Sequence, residues 1–184
     1  MELFQERGYV QTTVEDIASH AGLTERTFFR YFADKREVLF SGSKDLEQSI
    51  ITRIASALEG SPLDVVGNAL SGAGAELQDR RDLQFVRARY ALVSKHAEIQ
   101  ERELIKLASL AAAVTKALHA RGVSEPAASL AAEAGIAVFK VGFERWVSAR
   151  KPSDFATHIL AALAALKALA APEQGQARAG RTRG

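Results

Sequence analysis

Thr12–Lys35 reads TTVEDIASHAGLTERTFFRYFADK, and its punctuation marks two short helices joined by a tight turn. Thr12 followed three residues later by Glu15 fits a capping box, with Thr13 as an alternative cap. Val14, Ile17, Ala18 and Ala21 then recur at helical spacing, and the small Ala18 lets a second helix approach closely. Gly22 stands where a helix end needs a left-handed backbone. Leu23 is expected to plug the turn, and Thr24 to cap the next helix. Phe28 and Phe32, four apart, pin that helix to the first. Glu25, Arg26, Thr27 and Arg30 are then left facing outward, with Phe29 and Tyr31 at the edges. A short helix with polar residues at its start suits base edges in the major groove, and its flanks suit phosphate. Asp34 is expected to cap a following helix, with Glu37 closing a second box.

The rest of the 184 residues continues the helical pattern. Turn signals at Gly8, Gly22, Gly60-Ser61-Pro62, Gly122 and Lys151-Pro152 separate helices expected at 2–7, 14–21, 25–31, 35–58, 63–78, 82–95, 98–121, 125–149 and 153–171. The fold class is therefore all-α, an N-terminal helix-turn-helix unit (1–42) followed by a helical domain (43–171). From Pro172 the tail PEQGQARAGRTRG holds no apolar side chain larger than alanine and is expected to be disordered and basic.

Composition narrows the function. Apolar residues make up 47% of the chain, enough for a core, and no run reaches the roughly 18 uninterrupted apolar residues of a membrane span. Glu2, Glu6 and Arg7 interrupt any secretory signal. A cytoplasmic protein with no membrane partner is expected. There is no cysteine, so disulfides and thiolate chemistry are excluded. Net charge is +2, and acids outnumber bases between Met1 and Phe40. A DNA reading must rest on where the bases sit.

The string Gly8-Tyr9, Thr12-Thr13-Val14, Ile17-Ala18, Ala21-Gly22-Leu23-Thr24, Thr27-Phe28-Phe29, Tyr31-Phe32, Lys35 resembles the TetR-type (tetracycline-repressor-like) family of bacterial transcriptional regulators. The resemblance covers about the first forty residues. It implies a ligand-responsive repressor that binds a palindromic operator in double-stranded DNA as a homodimer and is released by a small molecule. It places Glu25, Arg26, Thr27 and Arg30 at base-reading positions, and Thr13, Phe29, Tyr31 and Lys35 at phosphate-contact positions. Phe29 stands where the family commonly has tyrosine, so one phosphate-binding hydroxyl is missing. The family's first helix normally begins about ten residues earlier, which implies absent backbone contacts here.

From about residue 45 the chain resembles the family's regulatory domain, whose effector does not transfer by resemblance. Residues 87–146 are also similar to a C-terminal domain of actinobacterial members linked to acyl-CoA-like effectors. Gly135, Phe139, Gly142 and Trp146 share one helical face; Phe155, Ile159, Ala162, Leu166 and Leu169 share another. Gly135, Phe139, Gly142, Ile159 and Leu166 are the expected dimer contacts, in a four-helix bundle made by two helices from each subunit. The alternative is that these faces pack only within one subunit. For the effector, Phe85, Arg89, Tyr90, Phe143 and Trp146 form the expected lining, with Arg89 as polar anchor for an amphipathic or hydrophobic molecule. Arg87 and Arg89 equally suit salt bridges to Glu98, Glu101 or Glu133.

An enzyme is not expected. His20, His96, His119 and His158 lie far apart, and no HExxH, phosphate loop or G-x-S-x-G occurs, so no catalytic, metal or cofactor residue is assigned. A helical interaction module with a non-binding helix-turn-helix remains as a further reading.

Overall fold

Capping chemistry sets the N-terminal helices in the computed structural model, which describes residues 1–171; the expected basic tail at 172–184 lies outside them. Helices α1 (Glu2–Glu6), α2 (Val14–His20) and α3 (Glu25–Tyr31) form the first unit. The cap of α2 is Thr13, not Thr12. Thr13 Oγ1 accepts the Asp16 N–H at 3.1 Å, and Asp16 Oδ2 accepts the Thr13 N–H at 2.9 Å. Thr12 is fully buried instead and donates its hydroxyl to the Gly8 carbonyl at 2.8 Å. The box thus sits one residue later than expected, because burying Thr12 holds the chain between α1 and α2. At Gly22 the backbone takes φ 67°, which favours glycine in the turn before α3. Phe28 is buried against α2, and its ring lies 5.2 Å from that of Phe32. Leu23 leaves 45% of its surface exposed and does not plug the turn.

The single helix expected over 35–58 is broken. Asp34 Oδ1 accepts the Arg36 N–H at 2.8 Å, a 3-10 turn runs over Glu37–Phe40, and α4 begins at Ser43 and ends at Ser56. Glu37 closes no capping box; its carboxylate reaches another helix. Leu39 and Phe40 of the 3-10 turn are both buried. With Phe4, Tyr9, Val93 and Ile99 they form a hydrophobic seam joining the N-terminal unit to the rest.

The second domain comprises α4, α5 (Pro62–Arg80), α6 (Leu83–Lys95), α7 (Ala97–Ala120), α8 (Ala127–Ser148) and α9 (Phe155–Ala170). Ser61 caps α5 ahead of Pro62, and Asp82 caps α6. The main core brings together Ile50, Ile54, Val66, Leu70, Val114, Leu118 and Ile136 with Trp146, Phe155 and Ile159. No helix among the described residues is long and apolar enough to cross a membrane.

Packing of α8 and α9 overturns the expected dimer contacts. A Cβ on Gly135 would lie 2.4 Å from Val66, and one on Gly142 would lie 3.0 Å from the Ile159 Cα. Gly135, Gly142, Phe139 and Ile159 are buried within the subunit, and Leu166 packs half-buried on the same core. Glycines that bring helices together inside a monomer look, in sequence, like glycines at an interface. Apolar residues at outward positions of these helices include Leu130, Ala137 and Val141 on α8, and Leu160, Ala161, Ala164 and Leu169 on α9.

Candidate nucleic-acid interface and effector cavity

The outer face of α3 carries the side chains assigned to DNA. Glu25, Arg26 and Arg30 are exposed, Thr27 is half-buried, and Phe29 and Tyr31 stand out at the flank. Thr24 Oγ1 caps α3 by accepting the Thr27 N–H at 3.2 Å and lies 3.1 Å from Thr27 Oγ1. Arg30 donates to the Tyr31 hydroxyl at 2.9 Å, with its guanidinium 4.8 Å from that ring. The pair therefore presents one cationic, hydroxyl-bearing edge. Thr13, at the start of α2, is exposed. Bonds from Thr13, then the nearby Arg7 guanidinium, hold the Asp16 carboxyl below the usual carboxylate range.

Lys35 departs from its assignment. Its ammonium donates to the carbonyls of Tyr9 (2.7 Å), Thr12 (2.9 Å) and Val10 (3.3 Å), and lies 4.4 Å from the Tyr9 ring. An ammonium has three hydrogens, and here all are turned to the backbone between α1 and α2. Lys35 closes that turn from beneath. Tyr9 itself is buried, and burial first, then the neighbouring Glu98, pushes its hydroxyl pKa up.

In the second domain a cavity of about 540 Å³ opens beside the seam. Its walls come from Leu39, Phe40 and the start of α4, from Leu77 and Arg81 at the end of α5, and from Phe85, Val86, Arg89 and Tyr90 of α6. Glu103, Lys106, Leu107 and Leu110 of α7 and Phe139, Lys140, Phe143 and Glu144 of α8 complete it. That volume falls within the ordinary range for small-molecule sites.

Of the residues expected to line it, Phe85, Arg89, Tyr90 and Phe143 do so. Trp146 does not: it is buried one layer behind, stacked on Phe155 at 4.7 Å, and donates its indole N–H to the Ser153 carbonyl at 3.0 Å. One helical turn separates Phe143 from Trp146, and that turn carries the ring from the cavity into the core. Arg89 is not a waiting anchor. It donates to the Leu39 carbonyl at 2.8 Å and to Glu103 at 3.0 Å, and its guanidinium covers Phe40 at 4.9 Å. The expected partners Glu98, Glu101 and Glu133 are not used by Arg89.

Sequence reading missed a cluster that ties the cavity to the N-terminal unit. Glu37 accepts bonds from Arg102 Nε and, at 3.0 Å, from Lys106 Nζ. Burial pushes the Glu37 carboxyl up, but the bonds from these two cations outweigh it and leave the pKa depressed. At the far end of α4, Arg121 donates to the carbonyls of Ile54 (3.0 Å), Ala57 (2.7 Å) and Leu58 (2.9 Å). The Ile54 carbonyl also accepts the Ala57 N–H at 3.3 Å, while Ala57 and Leu58 lie past the end of α4. The i,i+4 spacing of Arg102 and Lys106 was visible; their partner, sixty-five and sixty-nine residues upstream, was not.

A capped helix α3 with an outward polar face, on a helical domain with a cavity, defines a helix-turn-helix architecture. Residues 1–41 match the family described as bacterial regulatory proteins, tetR family. The HTH-type transcriptional regulator TcmR of Streptomyces glaucescens is 32% identical over 80 residues, which is 43% of this chain and 35% of that protein. The match thus spans about a third of the relative's length. FadR of Thermus thermophilus, a TetR-family transcriptional repressor solved in complex with lauroyl-CoA, has the same overall fold. Its TM-score is 0.57 and its identity 22%, over 98% of this chain and 95% of that one. Among the described residues no group of three or more histidine, aspartate or glutamate side chains is arranged to hold a metal ion.

Proposed function

We propose that the chain is a ligand-responsive transcriptional repressor that binds a palindromic operator as a homodimer. The observation that carries this reading is α3 itself. Phe28 is buried beneath it, while Glu25, Arg26 and Arg30 face solvent from a helix in the tetR-family unit. In this reading Arg26 and Thr27 read bases, aided by Glu25 and Arg30. Thr13, Tyr31 and the edge at Phe29 meet phosphate, and Lys35 acts by holding the α1–α2 turn. One helix of seven residues reads few base pairs, so two copies must act on half-sites one DNA turn apart.

The homodimer forms through the outward faces of α8 and α9. Leu130 and Leu160 are 65% and 43% exposed and lie in line with small residues at helical spacing. The effector is a hydrophobic or amphipathic small molecule in the cavity lined by Phe85, Tyr90 and Phe143; the Thermus protein of the same fold binds lauroyl-CoA. The test is selection of binding sites from random DNA, with the mass of the complex measured by light scattering. An inverted repeat bound by two chains is expected. Enrichment of no sequence, or binding by one chain, overturns the reading.

A further inference from the structure

Leu39 and Phe40 belong to two places at once: they seat the N-terminal unit in its seam and they form part of the cavity wall. Two cationic side chains are shared in the same way. Lys106 lines the cavity and holds Glu37; Arg89 lines the cavity and holds the Leu39 carbonyl. Glu37 and Leu39 both lie in the 3-10 turn that connects α3 to α4. Two of the polar links from this turn therefore run through cations that line the cavity, whereas Arg102, which also holds Glu37, lies outside its lining.

The charge of the wall is uneven. Lys44, Arg81, Arg89, Lys106 and Lys140 face it against Glu47, Glu103 and Glu144, with an apolar surface between them. The far end of α4 is tied down by Arg121, so loosening acts on the near end, next to α3.

We propose that the Glu37–Lys106 contact is the latch between cavity and DNA-binding unit, and that the anionic group of an apolar-chain ligand opens it by taking Lys106 from Glu37. This rests on the reading of the cavity as the effector site. The Lys106 ammonium turns from the 3-10 turn toward the ligand, Arg102 alone is left on Glu37, and the chain fills the apolar wall beside Leu39 and Phe40. The unit then rocks on its seam, and the spacing of paired recognition helices is lost. A neutral ligand of equal length fills the wall without drawing Lys106 away. Ligand and Glu37 compete for one cation, so linkage demands that removing the charge of Glu37 strengthen binding of the anion.

The experiment compares dodecanoate with dodecanol on the full chain, using calorimetry for binding and anisotropy for release of the selected operator. In the wild type, dodecanoate is expected to weaken operator binding about tenfold or more, within the usual range of allosteric coupling, and dodecanol to bind with little release. Glu37→Gln is expected to bind dodecanoate more tightly, by about threefold or more, while its release of DNA falls below about twofold. Lys106→Gln is expected to bind dodecanoate no better than dodecanol. Calorimetry needs no operator, so the Glu37→Gln result stands even where that variant binds DNA poorly. If both probes bind and release DNA alike, the cavity reading survives and the latch is wrong. Unchanged dodecanoate affinity in Glu37→Gln also overturns it. If neither probe binds, both readings fall.

Discussion

Helix α3 and the cavity are built in opposite ways. Helix α3 is seven contiguous residues, capped by its own neighbour Thr24 and docked by its own Phe28. What faces outward follows from local spacing alone. The cavity draws its wall from five helices between Leu39 and Glu144, and each contributes only one face. One helical turn decides whether a side chain there meets a ligand, as with Phe143, or the core, as with Trp146. Local sites tolerate inference from a string of residues; assembled sites depend on how helices rotate against one another.

That contrast is sharpest at Trp146. Trp146→Ala should lower the stability of the second domain by roughly 3–5 kcal/mol, as for a large buried side chain, read from urea denaturation. A loss below about 1 kcal/mol would return the residue to the cavity wall. Lys35 is the corresponding test in the first unit. With its ammonium on three carbonyls, Lys35→Met should cost about 1.5–3 kcal/mol of folding stability, the range for hydrogen bonds to a charged group. The salt dependence of DNA binding should not change. A log-log salt slope shallower by about 1 per subunit, with stability intact, would mark a phosphate contact instead.

Arg26→Ala separates reading from folding. It should cost roughly 1–3 kcal/mol on the selected operator, with binding to random DNA unchanged. Equal losses on both would make Arg26 a phosphate contact. The smallest expected effect is electrostatic. The Glu37 carboxyl has a folded pKa below its ordinary value, so its contribution is present above the usual glutamate range, about 4.3, and is lost as pH falls through the folded value. The difference in denaturation midpoint between the wild type and Glu37→Gln should shrink from pH 7 toward pH 3. A constant difference would show that the carboxylate's charge contributes nothing.

Much of the helix layout was legible because caps and glycine turns act within a few residues. Thr24, Gly22, Ser61-Pro62 and Gly122 all mark real boundaries. Errors fell where a side chain had two local uses. Thr12 and Thr13 both suit a cap, and the burial of Thr12 decided between them. The helix expected over 35–58 is interrupted at the 3-10 turn, whose Leu39 and Phe40 pack with Val93 of α6 and Ile99 of α7. Gly135 and Gly142 were read as dimer contacts, but what approaches them is Val66 and Ile159 of the same chain.

By itself the sequence determined an all-helical chain, the capped pair α2–α3, the outward side chains of α3 and the string from Gly8 to Lys35 that resembles the tetR family. Each depends on periodicity, capping or turn geometry, which operate over one to seven residues. The tertiary structure alone decided that Lys35 serves the backbone, that Trp146 belongs to the core, that Arg89 is engaged and that Glu37 meets Arg102 and Lys106. Those outcomes depend on which helix faces are brought within a few ångströms of each other. Hydrophobic burial sets that rotation collectively across the whole core, and no single stretch of residues encodes it.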